Sequence, residues 1–318
     1  MKRQPLWRST PPAIFPVILG LVGLAHAWRG LGQNSGLPTG LGDLLLGVAT
    51  ALLLFFTLSY LAKLLARRGV LMEDLKSPPG RAGLSAISMS FIVLSVGLLP
   101  FGEVARYVWW FGIILHAVIV IFVVKAMAKS PPEARSVTPF QLLPFVGLST
   151  TPLAGVPLGY VGLSQAFTYL SLAAFAVILF QMARKFIRTR PPAPLRPPFA
   201  IILAPLSLFG MAFAQFGPDA AFLVFYVAVW ITAMALLSFA KWLTAAGFTP
   251  IWGALTFPAA TFTNINLVAM GKGLGLIATL GSIIGGVIAT ALIFYITYRA
   301  LKMWAGQKLS QKTGAAVA

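Results

Sequence analysis

Apolar runs of about 20 residues recur along the whole chain, separated by short polar or basic stretches. Each is long enough to cross a hydrocarbon layer of about 30 Å as an α-helix. The pattern predicts ten spans, with cores at 12–28, 44–65, 82–101, 107–124, 140–156, 160–182, 199–216, 220–240, 250–270 and 274–301. Only a few residues separate neighbouring spans near 102–106, 157–159, 217–219 and 271–273, so these pairs turn straight back on themselves.

Proline divides the spans into two classes. Odd-numbered spans carry Pro16, Pro100, Pro144 with Pro152, Pro205 and Pro258; the cores of the even-numbered spans carry none. Proline lacks a backbone donor and kinks a helix. In a bilayer the carbonyls it frees must find partners in neighbouring protein or water. The odd spans are therefore expected inside, kinked at Pro16, Pro144, Pro205 and Pro258, with the even spans against lipid. Pro100 falls at the end of its span, where it serves as a terminator. Each odd–even pair runs out and back, so all five hairpins share one orientation, as units repeated about an axis along the membrane normal do. The expected fold is all-α and integral to the membrane: ten transmembrane helices as five helical hairpins around a central pore, odd helices inside and even helices outside, in one domain over residues 1–318. Five cylinders of about 10 Å diameter leave a bore of roughly 3.5 Å radius, which a single aromatic side chain blocks.

Composition agrees with a bilayer. Hydrophobic residues make up 58% and charged residues 9%, against about 25% charged in soluble domains. The net charge of +18 raises the question of nucleic acid, but position answers it. Of 24 lysines and arginines, only Arg29, Arg106 and Lys272 fall on one side of the ten-span layout. Cytoplasmic loops are enriched in Lys and Arg. A multi-pass protein of the cell membrane with both termini in the cytoplasm follows, and a nucleic-acid partner is unnecessary. The opening "MKRQPLWRSTPP" and the apolar run after it mimic a signal peptide, yet "AHAWRGLGQN" is a poor cleavage site, so the run is taken as a retained first span.

Several chemistries drop out. The chain has no cysteine, which removes disulfides, thiolate metal sites and cysteine nucleophiles. Two histidines and six acids leave little to hold a metal. No nucleophile–base set or nucleotide loop is visible, so neither an enzyme nor a cofactor is expected. Asp43, Glu103 and Asp219 lie at one set of span ends, and Glu73, Asp74 and Glu133 in loops on the other side. Glu103 and Arg106 are placed for a surface pair. Proton-coupled carriers usually need a buried acid or histidine. His26 and His116 are the candidates here, and each is taken first as hydrogen-bonded packing. Without acidic rings of the kind cation channels use, a weakly polar bore between basic loops fits anions.

The ninth span holds the sharpest pattern, "TPIWGALTFPAATFTNIN". At 100° per residue Gly253, Phe257, Thr261 and Asn264 share a stripe. Facing the axis, that stripe projects Phe257 into the bore beside Pro258 as a hydrophobic gate; ordinary packing at a kink is the alternative that spacing leaves open. Phe262, about 140° away on the helix, is assigned to packing. Further candidate lining residues are Gly20 on the first span, Ser88 on the third, Phe145 on the fifth and Ser207 on the seventh, alongside Gly147, Ser149 and Thr150. Close packing by small residues explains any one of them equally well.

The stretches "FPVILGLVGLAHAWR", "LPFVGLSTTPLAG", "ILAPLSLFG" and "WGALTFPAA", in that order, resemble the tellurite-resistance/dicarboxylate transporter family, which includes bacterial tellurite-resistance proteins and the plant guard-cell slow anion channels. The resemblance implies ten helices in five hairpins around a pore in each subunit of a homotrimer. It also implies a gating phenylalanine on the ninth helix, at Phe257. The implied activity is a gated channel or facilitator for small anions such as chloride, nitrate or tellurite. A proton-coupled carrier of four-carbon dicarboxylates such as malate is the alternative. The expected partners are small inorganic or carboxylate anions and the lipid bilayer.

Overall fold

The computed structural model describes residues 5–35, 38–131 and 135–318; Lys2, Arg3 and Glu133 lie outside them. The α-helices are α1 (Phe15–Ser35), α2 (Gly40–Ala66), α3 (Val70–Asp74), α4 (Pro78–Gly97), α5 (Glu103–Ala128), α6 (Leu142–Val146), α7 (Pro152–Gly155), α8 (Val161–Arg188), α9 (Leu203–Phe216), α10 (Asp219–Ser238), α11 (Ala240–Leu243), α12 (Thr256–Gly271), α13 (Gly275–Ala305) and α14 (Lys308–Thr313). No strand occurs among the described residues. Eight stretches there are long and apolar enough to cross a membrane.

Two of the predicted spans are interrupted. The expected fifth span, 140–156, is assembled from a 3-10 turn at Pro139–Gln141, α6, a second 3-10 turn at Gly147–Thr150, and α7. The ninth begins as a 3-10 stretch, Pro250–Leu255, and continues as α12. The same change of helix type precedes α1, at Pro12–Ile14, and α9, at Pro197–Ile202. Pro16, Pro144, Pro205 and Pro258 are the second or third residues of α1, α6, α9 and α12. The first N–H groups of an α-helix have no intrahelical acceptor, so proline's missing donor costs little there, and its fixed φ suits the first turn. Each of these prolines thus stands where a 3-10 turn hands over to α geometry.

Burial splits the segments as proline does. The membrane-length windows in Pro12–Asn34, Pro78–Gly97 and Ala193–Phe216 are between 72% and 94% buried, whereas those in α2, α5, α8, α10 and α13 are between 22% and 39% buried. The exposed helices turn out large apolar side chains such as Leu58, Phe180, Val224 and Ile277, which a hydrocarbon environment accepts. The buried segments touch one another in a closed circuit: α1 packs on α4, α4 on the interrupted 139–155 segment, that segment on α9, α9 on α12, and α12 on α1. Each also packs against the long helix that follows it.

Charge is arranged by face. At the face away from the chain ends, each of the three cations meets an acid: Arg29–Asp43 at 2.5 Å, Arg106–Glu103 at 2.7 Å and Lys272–Asp219 at 2.7 Å. Exposed pairs of this kind contribute at most about 1 kcal/mol; their effect is to cancel charge locally. Asp43, Glu103 and Asp219 also occupy the first turns of α2, α5 and α10, where the positive helix end favours a carboxylate.

The basic face holds a buried pair that linear spacing does not announce. Lys63 Nζ lies 3.1 Å from Asp74 Oδ2, with both side chains fully buried. Lys63 also donates to the Thr10 carbonyl, while Tyr60 Oη and the Ala316 amide donate to Asp74. One buried carboxylate therefore ties α2, α3, the segment before α1 and the chain's last residues together. Beside it, Arg67 bonds both Glu73 oxygens and the Val317 carbonyl, and this guanidinium holds the Glu73 carboxyl below the usual carboxylate range. Removing one member of a buried pair leaves an uncompensated charge and costs about 3–5 kcal/mol. Asp74→Ala is accordingly expected to lower the melting temperature of the detergent-solubilised protein sharply, and Lys63→Met introduced with Asp74→Leu to recover most of that loss.

Candidate functional site

Two cavities enter the molecule from opposite faces. On the basic face, a cavity of about 230 Å³ lies among the starts of α1, α4, α9 and α12 and the interrupted 139–155 segment, with Lys312 and Thr313 in its lining. From the other face, a cavity of about 570 Å³ runs between the far halves of α1, α4, α9 and α12, bounded by His26, Gln215, Asn264 and Lys272. Among the described residues, Phe257 alone lines both.

The sequence at Phe257 explains its position. It is the second residue of α12, next to Pro258 and directly after the 3-10 stretch. Thr256 Oγ1 contacts the Pro16 carbonyl at 2.9 Å and the Gly253 carbonyl at 2.8 Å, which pins the base of the phenylalanine to α1. Across from the ring sits Gly23, where a β-carbon would stand 3.2 Å from Phe257 Cδ2 and 3.0 Å from Ala260 Cβ. Absence of a side chain there gives the benzyl group its seat against α1. The side chain is 6% exposed. Further along α12, Asn264 Nδ2 donates to the carbonyls of Gly23 and Ala260 at 3.0 Å, so the same two helices are tied again about two turns further on.

The other sequence candidates divide. Gly253 lines the basic-face cavity; Thr261 and Asn264 line the opposite one. Pro16, Pro205 and Pro258 also border the basic-face cavity. Gly20 and Ser207 border neither and are buried in helix contacts. The Ser207 hydroxyl is spent on the Leu203 carbonyl. Ser88 Oγ is within hydrogen-bond distance of His116 Nδ1 and the Ser85 carbonyl. Phe145 is half-buried against the core, outside both linings. Pro144 is likewise outside them, and its carbonyl lies 3.0 Å from His116 Nε2. A carbonyl only accepts, so His116 carries its proton on Nε2 and clamps the interrupted segment to α5. His26 is comparable but half-exposed: Nε2 donates to the Val93 carbonyl at 2.9 Å while the ring borders the far-face cavity. Phe262 packs edge-on against Trp230.

Ser149 was legible only as one of several small residues. It sits in the 3-10 turn Gly147–Thr150, lines the basic-face cavity and is 1% exposed, and its hydroxyl has no hydrogen-bond partner in the structure. The signal that singles it out is the flanking pair Pro144 and Pro152, which breaks the helix on both sides of it. No Asp or Glu contributes to either lining among the described residues, and no cluster of three or more His, Cys, Asp or Glu able to hold a metal occurs there.

Residues 9–304 match the family model described as voltage-dependent anion channel. The chain belongs to that family. The match spans all the cavity-lining segments up to α13, and it agrees with the resemblance drawn from the four stretches on the first, fifth, seventh and ninth spans. Voltage-dependent anion channel relatives are channels or transporters rather than enzymes. No curated protein matches the chain.

In this voltage-dependent anion channel relative, the α1–α12 seam depends on close approach. A β-carbon at Gly20 would fall 2.3 Å from Thr256 Cβ and 3.0 Å from its backbone, and backbone cannot yield as a flexible side chain does. Gly20→Ala is expected to overpack the seam at a cost of roughly 1–3 kcal/mol, seen as a lower melting temperature in detergent.

Proposed function

We propose that the protein is a gated channel or facilitator for small anions, chloride and nitrate among them and tellurite as a further permeant. Its ten spans form five hairpins around one pore, and the Phe257 ring is the plug. The observation that carries this is the position of Phe257 as the residue common to two cavities that open to opposite faces. The closed circuit of buried segments supports the inner ring, and the exposed long helices support the outer one. Family membership supplies anion transport in general.

An apolar ring across a narrow bore excludes water and with it a hydrated ion. Removing an ion from water without compensation is costly, so no strong barrier beyond the ring is required. Swinging the ring away from Gly23 would join the cavities. The absence of carboxylates from both linings among the described residues supports anions over cations. A buried acid for proton coupling is likewise missing from them. In this proposal the chain acts as one domain and sits in the cell membrane. Its basic face, with both termini, is in the cytoplasm, as the lysine and arginine distribution favours, and it assembles as a homotrimer with a pore in each subunit.

Phe257→Ala is expected to raise anion current by about tenfold or more in oocytes or planar bilayers, because the hydrophobic constriction is gone. The reversal potential should follow the chloride and nitrate gradients and ignore a proton gradient. Unchanged current with the variant at the cell surface would sink the plug, and flux that saturates with malate and tracks the proton gradient would point to coupled dicarboxylate carriage instead.

A further inference from the structure

We infer that Ser149 is the hydrogen-bond donor that coordinates the permeating anion in the basic-face cavity. This rests on the channel function proposed above and assigns a residue within it.

The cavity wall is otherwise built from apolar groups, among them Leu19, Met89, Leu143, Val146 and Phe257. An anion entering such a space loses hydration and gains little from the wall, so any polar hydrogen there acts on it strongly. The threonine hydroxyls that follow Ser149, and that of Thr313 in the lining, are committed. Thr150 and Thr151 donate to the Gly147 and Leu148 carbonyls, and Thr313 to those of Leu309 and Ser310. Ser149 directly precedes Thr150 and Thr151, yet its Oγ has no partner while the residue is 99% buried. An unmet buried hydroxyl is costly, and such groups persist where function uses them. A hydroxyl both donates and accepts, but the charged side chain in this lining is the cation Lys312, and the lining holds no carboxylate. The ligand that suits one O–H in a cavity shared with a lysine, within apolar walls, is a small anion.

The local structure fixes the backbone that carries that hydroxyl. His116 Nε2 grips the Pro144 carbonyl, and the His116 ring lies against Gly147, where a β-carbon would come within 2.5 Å of Cε1. Trp109 Nε1 donates to the Thr151 carbonyl at 3.0 Å. The backbone is therefore held to α5 on both sides of Ser149. The 3-10 turn there places Ser149 among the residues lining the cavity.

The test places Ser149→Ala and Ser149→Thr into the Phe257→Ala channel and measures chloride current against chloride concentration. Loss of a hydrogen bond to a charged group is expected to raise the half-saturating chloride concentration about tenfold in Ser149→Ala, with Ser149→Thr close to the parent. Chloride-dependent thermal stabilisation of the solubilised protein gives a readout that needs no current: the shift should vanish in Ser149→Ala and survive in Ser149→Thr. If Phe257→Ala conducts and Ser149→Ala alters neither quantity, the serine assignment is wrong while the channel stands. If Phe257→Ala passes no anion current at all, both are overturned.

Discussion

In hydrocarbon, a backbone amide or carbonyl without a partner costs several kcal/mol, and the whole structure is arranged around that penalty. Unbroken helices meet it alone and so take the outer positions. Interrupted segments take the inner positions, where side-chain donors reach backbone acceptors: His116 to Pro144, Trp109 to Thr151, Thr256 to Pro16 and Asn264 to Gly23. Each of these joins two elements. The irregular backbone is thereby confined to the interior, where both cavities lie.

Phe257 inherits its place from the same arrangement. The 3-10 stretch before it, Pro258 after it and the Thr256 hydroxyl beneath it determine where α12 begins. Gly23 opposite leaves room for one aromatic ring. The pieces that hold the ring are backbone geometry and short hydrogen bonds rather than charge. As the plug proposed above, the ring would respond to movement between α1 and α12 more than to titration of any side chain nearby.

The division into buried and exposed spans was legible in the sequence because proline is a local signal with a local cause. Charge asymmetry was legible for the same reason. The break in the 140–156 segment was not, since its pieces are all apolar and periodicity does not distinguish a 3-10 turn from an α-helix over four residues. The 100° stripe also assumed α geometry back to Gly253, whereas 250–255 is 3-10; Gly253 nonetheless reaches the cavity on one side of Phe257. Gly20, Ser88 and Ser207 illustrate a real ambiguity: a small residue at a helix contact and one at a pore wall look alike in sequence. The Lys63–Asp74 pair was hidden because its members belong to different elements, and its surroundings come from residues as distant as Thr10 and Ala316.

The pairing of Arg29, Arg106 and Lys272 with Asp43, Glu103 and Asp219 leaves one surface of the molecule near neutrality. The opposite surface keeps a large uncompensated excess of lysine and arginine. Mobile counter-ions gather at the second surface and not at the first, to a depth of about 8 Å at physiological ionic strength. In the channel proposed above, a conduit without carboxylates between two such unequal reservoirs would rectify: anions would enter more readily from the side where they are enriched, and dilution of the bathing salt would accentuate the difference.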